Sequence, residues 1–562
     1  MSDSLRMQRL TGSHVTLAYK DEDEEDRDAH QQTSLLPSSS LVRQTSKERS
    51  CACLKRIIVV LSIIAICVGA FEIAFNGKEA ESLHAAQNKI YKLKLQLSQA
   101  MKGGFDLVKA STASALPYAS GDQDARNDQS SVFTPSLDPQ VEALKSRSVI
   151  VLKTGASVLF DRLPLQLLLA QDAFNPEIYD TGRAGDQGPS FFVYSDADIQ
   201  IGPFAVHDAL ANVSEVVRNE KEFSERYNSL HTMLSSGDDL RASNFNQGWN
   251  LDKWKFLYMW QDAFKRDPNA DWYIGYEADT FVLWESLFKF LVTQDARKEQ
   301  LFGCPSILLS KMELFANGGC PYVISGALMR ASYGKDPQFA SKFDSEVKVS
   351  CCGDAELSIA LRKSATKEIK HLGDAGSRFQ GERPLEILFN QDNWCEPIFN
   401  FHHLKTEEVQ WLSSVERDIR ATKQKNETIL YSDVFTHIIP PSLKKALHSL
   451  EHSNNHTFAE VELNPIKEDW EAFGSSEKGV KQGRRTEDVE NCKAQCIKSK
   501  DCTTWFWIKV TENDSDGDCY LLHDAIKIGK SYQGTGLRTS GWLADRVANF
   551  KAHHFCKHPP TA

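Results

Sequence analysis

The sequence has no excess of positive charge. Lys and Arg total 65 against 76 Asp and Glu, a formal net charge of -11, so no basic face for a nucleic-acid partner is implied. It has no G-x-G-x-x-G at a strand–helix junction, which leaves a dinucleotide-binding Rossmann site without support. It lacks paired C-x2-C knuckles among its C-terminal cysteines, which disfavours a zinc module. Its one long apolar run has no small-residue cleavage site and begins more than fifty residues in, unlike a removable signal peptide.

What is present is unevenly spread. The 562 residues are too many for one core, so two or more folded units are expected. Residues 1–56, with the acidic run Asp21 to Asp26 and a Ser/Gln/Thr-rich stretch, read as a disordered tail. Ile57 to Phe75 form an apolar stretch of nineteen residues broken only by Glu72, enough to cross a bilayer core of about 30 Å. Arg43, Lys47, Arg49, Lys55 and Arg56 precede it, and the other flank is nearly neutral. The positive-inside rule then predicts a single-pass type II signal anchor with a cytosolic N-terminus. Cys51 and Cys53, beside the span, are palmitoylation candidates as well as plain thiols.

The remaining ten cysteines lie beyond the span, from Cys304 to Cys556. Their number is even and the predicted side is oxidising, so disulfides are expected. Five lie on each side of residue 450, which leaves room for a bridge from Cys556 back to the earlier block. The sequons at Asn212, Asn426, Asn455 and Asn513 are on the same side. Residues 76–147 read as a stem. Leu83, Ala86, Ile90, Leu93, Leu97 and Ala100 follow a heptad, compatible with a parallel homodimer or a lone amphipathic helix.

From residue 148 the pattern alternates strand and helix. Val149 to Leu152, Phe191 to Tyr194 and Trp272 to Tyr276 read as buried strands; 163–174 and 249–264 read as helices. This predicts an α/β fold with a mostly parallel sheet. The third strand runs into Glu277-Ala278-Asp279. Residues i and i+2 of an extended segment share a side, so Glu277 and Asp279 can face one hard divalent cation. Cys351-Cys352-Gly353-Asp354-Ala355-Glu356 is an acidic entry to an apolar helix. Asn400-Phe401-His402-His403 ends an aromatic strand, and adjacent side chains there point to opposite faces, so one histidine at most would join the metal.

Taken in order, Gly248-Trp249-x-Leu251-Asp252-Lys253, Trp272-Tyr273, Glu277-Ala278-Asp279-Thr280-Phe281-Val282, the Gly326 segment, Gly353-Asp354 and Phe401-His402-His403 resemble the fringe-like family 31 glycosyltransferases. The likeness is to a fungal branch related to core 1 β1,3-galactosyltransferases, and it spans roughly 150–410. It implies a GT-A fold over 148–445, inversion at the anomeric carbon, a UDP-sugar donor with galactose as first choice, a glycan or glycoprotein acceptor, manganese, and residence in the Golgi membrane with a lumenal head. By position it implies Asp279 as metal ligand, Glu277 beside it, and His402 or else His403. Ala278 stands where the family has a middle acid and is placed at the donor. Asp354 is implied as catalytic base, with Glu356 as fallback because Gly353 replaces a second acid. Lys153, Thr154, Gly155, Ser195 and Asp196 are placed at the donor, and Trp394 at the acceptor, though a buried Trp in a strand is more often core.

Cys492-x3-Cys496-x5-Cys502, then Trp505, Trp507, Cys519 and Trp542, resembles a PAN/apple domain over 465–556. That resemblance implies the pairs Cys492–Cys519 and Cys496–Cys502. Two other readings stand beside the transferase. One is a catalytically silent lectin-like protein of the same fold. The other is a glycosidase using Glu277 and Asp279, which their shared strand face disfavours.

Overall fold

The computed structural model describes residues 16–18 and 138–556, apart from 175–187, 241–247, 370–374, 424–426, 453–462 and 512–513. The expected anchor at 57–75, the stem heptads, and Cys51 and Cys53 lie outside the described residues. Among those described, no helix is long and apolar enough to cross a membrane. Inside the expected tail, Thr16–Ala18 forms a short strand parallel to Ser306–Leu308.

Seven strands make the central sheet: β1 (Ser148–Lys153), β2 (Ser190–Ser195), β3 (Ile199–Ile201), β4 (Phe204–Asp208), β5 (Trp272–Glu277), β6 (Leu301–Phe302) and β7 (Tyr322–Ser325). Their spatial order is β3-β4-β2-β1-β5-β7-β6. Strands β4, β2, β1 and β5 run parallel. The expected parallel order stops there, because β3, β7 and β6 pair antiparallel.

Both faces of this sheet are covered, and strand alternation shows it. Val149 and Val151 of β1 join one apolar cluster with Trp254, Leu257 and Trp260 of α3 (Gly248–Arg266), while Phe223 and Leu230 come from α2 (Lys221–Ser236). Ile150 and Leu152 join the opposite cluster, with Leu163 and Leu167 of α1 (Leu159–Phe174) and Leu287 and Phe288 of α4 (Trp284–Val292). Burying each such side chain contributes about 1.5–3 kcal/mol. A strand apolar on both faces is what a helix–sheet–helix sandwich requires. The helix α5 (Gly353–Ser364) packs on the α3 side through Leu357, Ala360 and Leu361.

The C-terminal part is a five-stranded antiparallel sheet with the helix Val489–Lys498 tied to it. The ties are Cys492–Cys519 and Cys496–Cys502, the pairs the resemblance implied. This part is fused to the head. Phe389–Asn390 pair with Ala525–Ile526, and Cys395 bridges to Cys556. Trp470, Ile528, Trp542, Val547 and Phe550 share one core with Ile387, Trp394, Phe401 and Leu404. A chain ending at residue 452 would expose that face. Five large side chains at about 1.5–3 kcal/mol each come to about 7.5–15 kcal/mol, comparable with a typical domain stability of about 5–15 kcal/mol. Such a truncation is expected to give aggregated protein with no cooperative melt; a soluble, cooperatively melting fragment would show the head to be independent.

Candidate functional site

The parallel strands end on one edge, and α1 begins there. Ala278 N–H donates to Lys153 O, which holds the turn after β5 beside the end of β1. Gln166 of α1, buried, donates from Nε2 to the carbonyls of Ala278 (3.0 Å) and Thr280 (2.8 Å). The turn is thereby fixed, with Glu277 and Asp279 on one side. The Ala278 methyl goes the other way, into the apolar cluster beneath α1. Ala278 therefore belongs to the core and not to the donor side where it was expected, and an acid at 278 would sit in that core.

The short strands Phe281–Val282 and Asn400–Phe401 pair antiparallel, Phe401 opposite Phe281. Leu404 N–H then reaches Asp279 O. This long-range register brings His402 to the acid pair: one ligand atom each from Glu277, Asp279 and His402 lie within 4.8 Å of one another. Asp279 Oδ1 is buried and accepts no hydrogen bond among the described residues. It lies 3.6 Å from His402 Nε2. Two carboxylates and one imidazole around a buried oxygen suit a divalent cation such as manganese. His403 does not turn to the opposite face as strand geometry predicted. The strand stops at Phe401, His403 takes φ 58°, and the two imidazole rings lie 3.8 Å apart.

A line of buried charge leads away from Glu277. Lys153 Nζ is 3.0 Å from Glu277 Oε1 and 2.8 Å from Asp252 Oδ1. Lys255 Nζ is 3.0 Å from Asp252 and 3.5 Å from Asp196. Burial opposes the Lys153 charge, but Asp252 and Glu277 outweigh it and hold the ammonium above its usual range. Burial likewise disfavours a charged Asp252, and Lys153 and Lys255 overcome it, so its acidity is strengthened. Glu277 goes the other way. Burial, with Asp252 and Asp279 adding to it against Lys153, pushes it up to about 7.

Asp354 joins the same site through a diglycine. It stands in the first turn of α5, where Oδ2 accepts from Gly318 N–H at 2.8 Å and Oδ1 from Ala355 N–H at 2.8 Å. Lys153 Nζ lies 4.4 Å above the Phe256 ring. A Cβ on Gly318 would fall 2.5 Å from that ring, and one on Gly319 would fall inside the His402 imidazole, at 1.8 Å. Asp354 and His402 thus flank adjacent residues of one turn, a turn only glycine permits. Burial raises the Asp354 carboxyl to about 6, with the two N–H groups opposing. Gly353 has a similar cause: a Cβ there would meet Lys253 O at 2.1 Å, so the helix cannot carry a second acid at that position.

Several expected roles change. Ser195 and Asp196 are 0% and 1% exposed. Asp196 is taken up by Ala156 N–H at 2.7 Å and by Lys255, so the pair supports the loop before α1 and is not open to a ribose. Thr154 is buried as well, its carbonyl accepting from Lys255 at 3.0 Å. Gly155 is partly exposed at the same edge. Trp394 is 3% exposed and packs edge-on against Phe550, so it has no face for an acceptor sugar. Glu356, 1% exposed, is ion-paired with Lys311 at 2.6 Å, which removes the fallback base. Asp252, Lys255, Arg162 and Gln166 enter unforeseen. Of these, Asp252 lay within a quoted motif, and the other three are helix residues that look solvated in sequence.

No protein-family model matches the chain, and no curated protein matches it.

Proposed function

We propose that this chain is a membrane-anchored, inverting glycosyltransferase of GT-A architecture that moves a hexose from a UDP-sugar to a glycan or glycoprotein hydroxyl. Galactose and a β1,3 linkage are the donor and product that the family resemblance favours. The observation that carries the reading is the convergence of Glu277, Asp279 and His402 at the carboxyl edge of a parallel sheet, with Asp354 one turn away. Ligands of open α/β sheets gather at that edge.

In this reading Asp279, Glu277 and His402 hold the divalent cation. When bound, it supplies positive charge against the charge that grows on departing UDP. Asp354 takes the proton of the acceptor hydroxyl as that oxygen attacks the anomeric carbon. Its carboxyl, raised to about 6, is ionised at neutral pH yet basic enough to accept a proton. The attack comes from the face opposite UDP, so configuration inverts. Lys153, fixed by Asp252 and Glu277, lends a permanent cation to the donor side.

The apolar run at 57–75 is the proposed anchor, which places 76–562 in the Golgi lumen. All ten cysteines beyond it pair in five disulfides, and Asn212 of the first sequon is exposed. An anchored chain would put Thr16–Ala18 across the bilayer from Ser306–Leu308. The few hydrogen bonds of that ladder, about 1 kcal/mol each, are outweighed by insertion of nineteen mostly apolar residues.

The test is a panel of UDP-sugars incubated with the full chain in detergent and manganese, with and without chelator. Chelator-sensitive release of UDP is expected with one donor. Sugar binding with no release from any donor would replace the transferase with the lectin-like reading.

A further inference from the structure

The two oxygens of Asp279 have different surroundings. Oδ1 faces the His402 imidazole, while Oδ2 accepts from Arg162 Nη1 at 2.9 Å. Arg162 stands in the first turns of α1, four residues before Gln166, which holds the same turn. Its side chain is 39% exposed against 13% for Asp279. Among the described residues, Asp279 is the only acceptor that this guanidinium meets. It therefore reaches a nearly buried carboxylate from a wet helix end, on a long stem that has no other side-chain partner among the described residues.

A divalent cation entering between Asp279, Glu277 and His402 would find one oxygen of Asp279 already neutralised. The guanidinium must then share that carboxylate with a second cation or leave it. Leaving costs little if an anion is near, and the diphosphate of a nucleotide-sugar is such an anion. A guanidinium matches phosphate oxygens in pairs, as an ammonium does not.

The geometry points to Arg162 as a cation latch: it holds Asp279 when the site is empty and passes to the donor diphosphate when the metal enters. This rests on the metal-dependent transferase reading. It makes Arg162 a donor-binding residue and makes nucleotide and metal binding mutually supportive, because each removes the obstacle to the other.

The test uses the full chain in detergent with Arg162→Gln, Arg162→Lys and the control Asp279→Asn. Manganese affinity without nucleotide is read from the spin signal of free Mn2+. UDP affinity at saturating manganese is read by calorimetry. Arg162→Gln is expected to bind manganese several-fold tighter and UDP about tenfold or more weaker, as befits loss of a charged hydrogen bond. Arg162→Lys is expected to keep manganese near the wild-type value and still lose part of the UDP affinity. Unchanged affinities, or two that move in the same direction, would overturn the latch while leaving the metal site standing. Wild-type protein whose manganese binding is absent, or survives Asp279→Asn, would overturn the transferase reading and the latch with it.

Discussion

Asp279→Asn is expected to abolish manganese-dependent UDP binding while the protein stays folded. The carboxylate shares a turn with Glu277 and comes within 3.6 Å of His402, and its buried Oδ1 accepts no hydrogen bond among the described residues. Loss of a residue that merely orients a metal ligand costs about 10–100-fold in affinity, so loss of the ligand charge itself should exceed about 100-fold. Folding should survive. The amide has the same shape, and the Arg162 pair it disturbs is partly solvated, where an ion pair contributes at most about 1 kcal/mol. Calorimetry of UDP binding with manganese, alongside a thermal melt, reads both quantities. Wild-type UDP affinity in the variant would remove the metal from this site.

Asp354→Asn is expected to separate binding from chemistry. Donor affinity should stay, because the side chain is held by Gly318 and Ala355 and touches none of the proposed ligands. Transfer should fall by about 10²–10⁴-fold, the usual share of a positioned base. The pH profile carries a second sign of the same group. Burial raises its carboxyl from 3.8 to about 6; the Gly318 and Ala355 N–H groups and Lys153 oppose that, and Asp252 adds to it. The wild-type transfer rate should therefore climb as pH rises through about 6, since the base works only when ionised. The stability sign is opposite. A raised acid contributes stability that is fully present below its unfolded value and lost as pH rises through the folded one. The chain thus gives up some stability over the window in which the base becomes active. Undiminished transfer by Asp354→Asn would take this residue out of the reaction.

Parts of this site are legible in the sequence and parts are not, for different reasons. Glu277 and Asp279 share a side because the period of an extended chain is two, and the same rule sends Ala278 into the core. That is local geometry, and it holds in the structure. The choice between His402 and His403 is not local. It depends on Phe401 pairing with Phe281, 120 residues away, and on the strand ending there, so that His403 takes a left-handed turn. Trp394 shows the opposite limit. An aromatic residue in a motif suggests a sugar platform, but the fused C-terminal part buries it under Phe550.

The sequence by itself determined the alternation of strands and helices, the acid pair at a strand end, and an even set of cysteines beyond an apolar run. Each follows from short-range periodicity or composition. Only the tertiary structure decided that Arg162, Lys153 and Asp252 converge on that acid pair, that a diglycine turn joins Asp354 to His402, and that head and C-terminal part share one core. Those outcomes depend on how both faces of one sheet and a second sheet are buried at once. Burial of that kind couples residues more than a hundred positions apart, which no local pattern encodes.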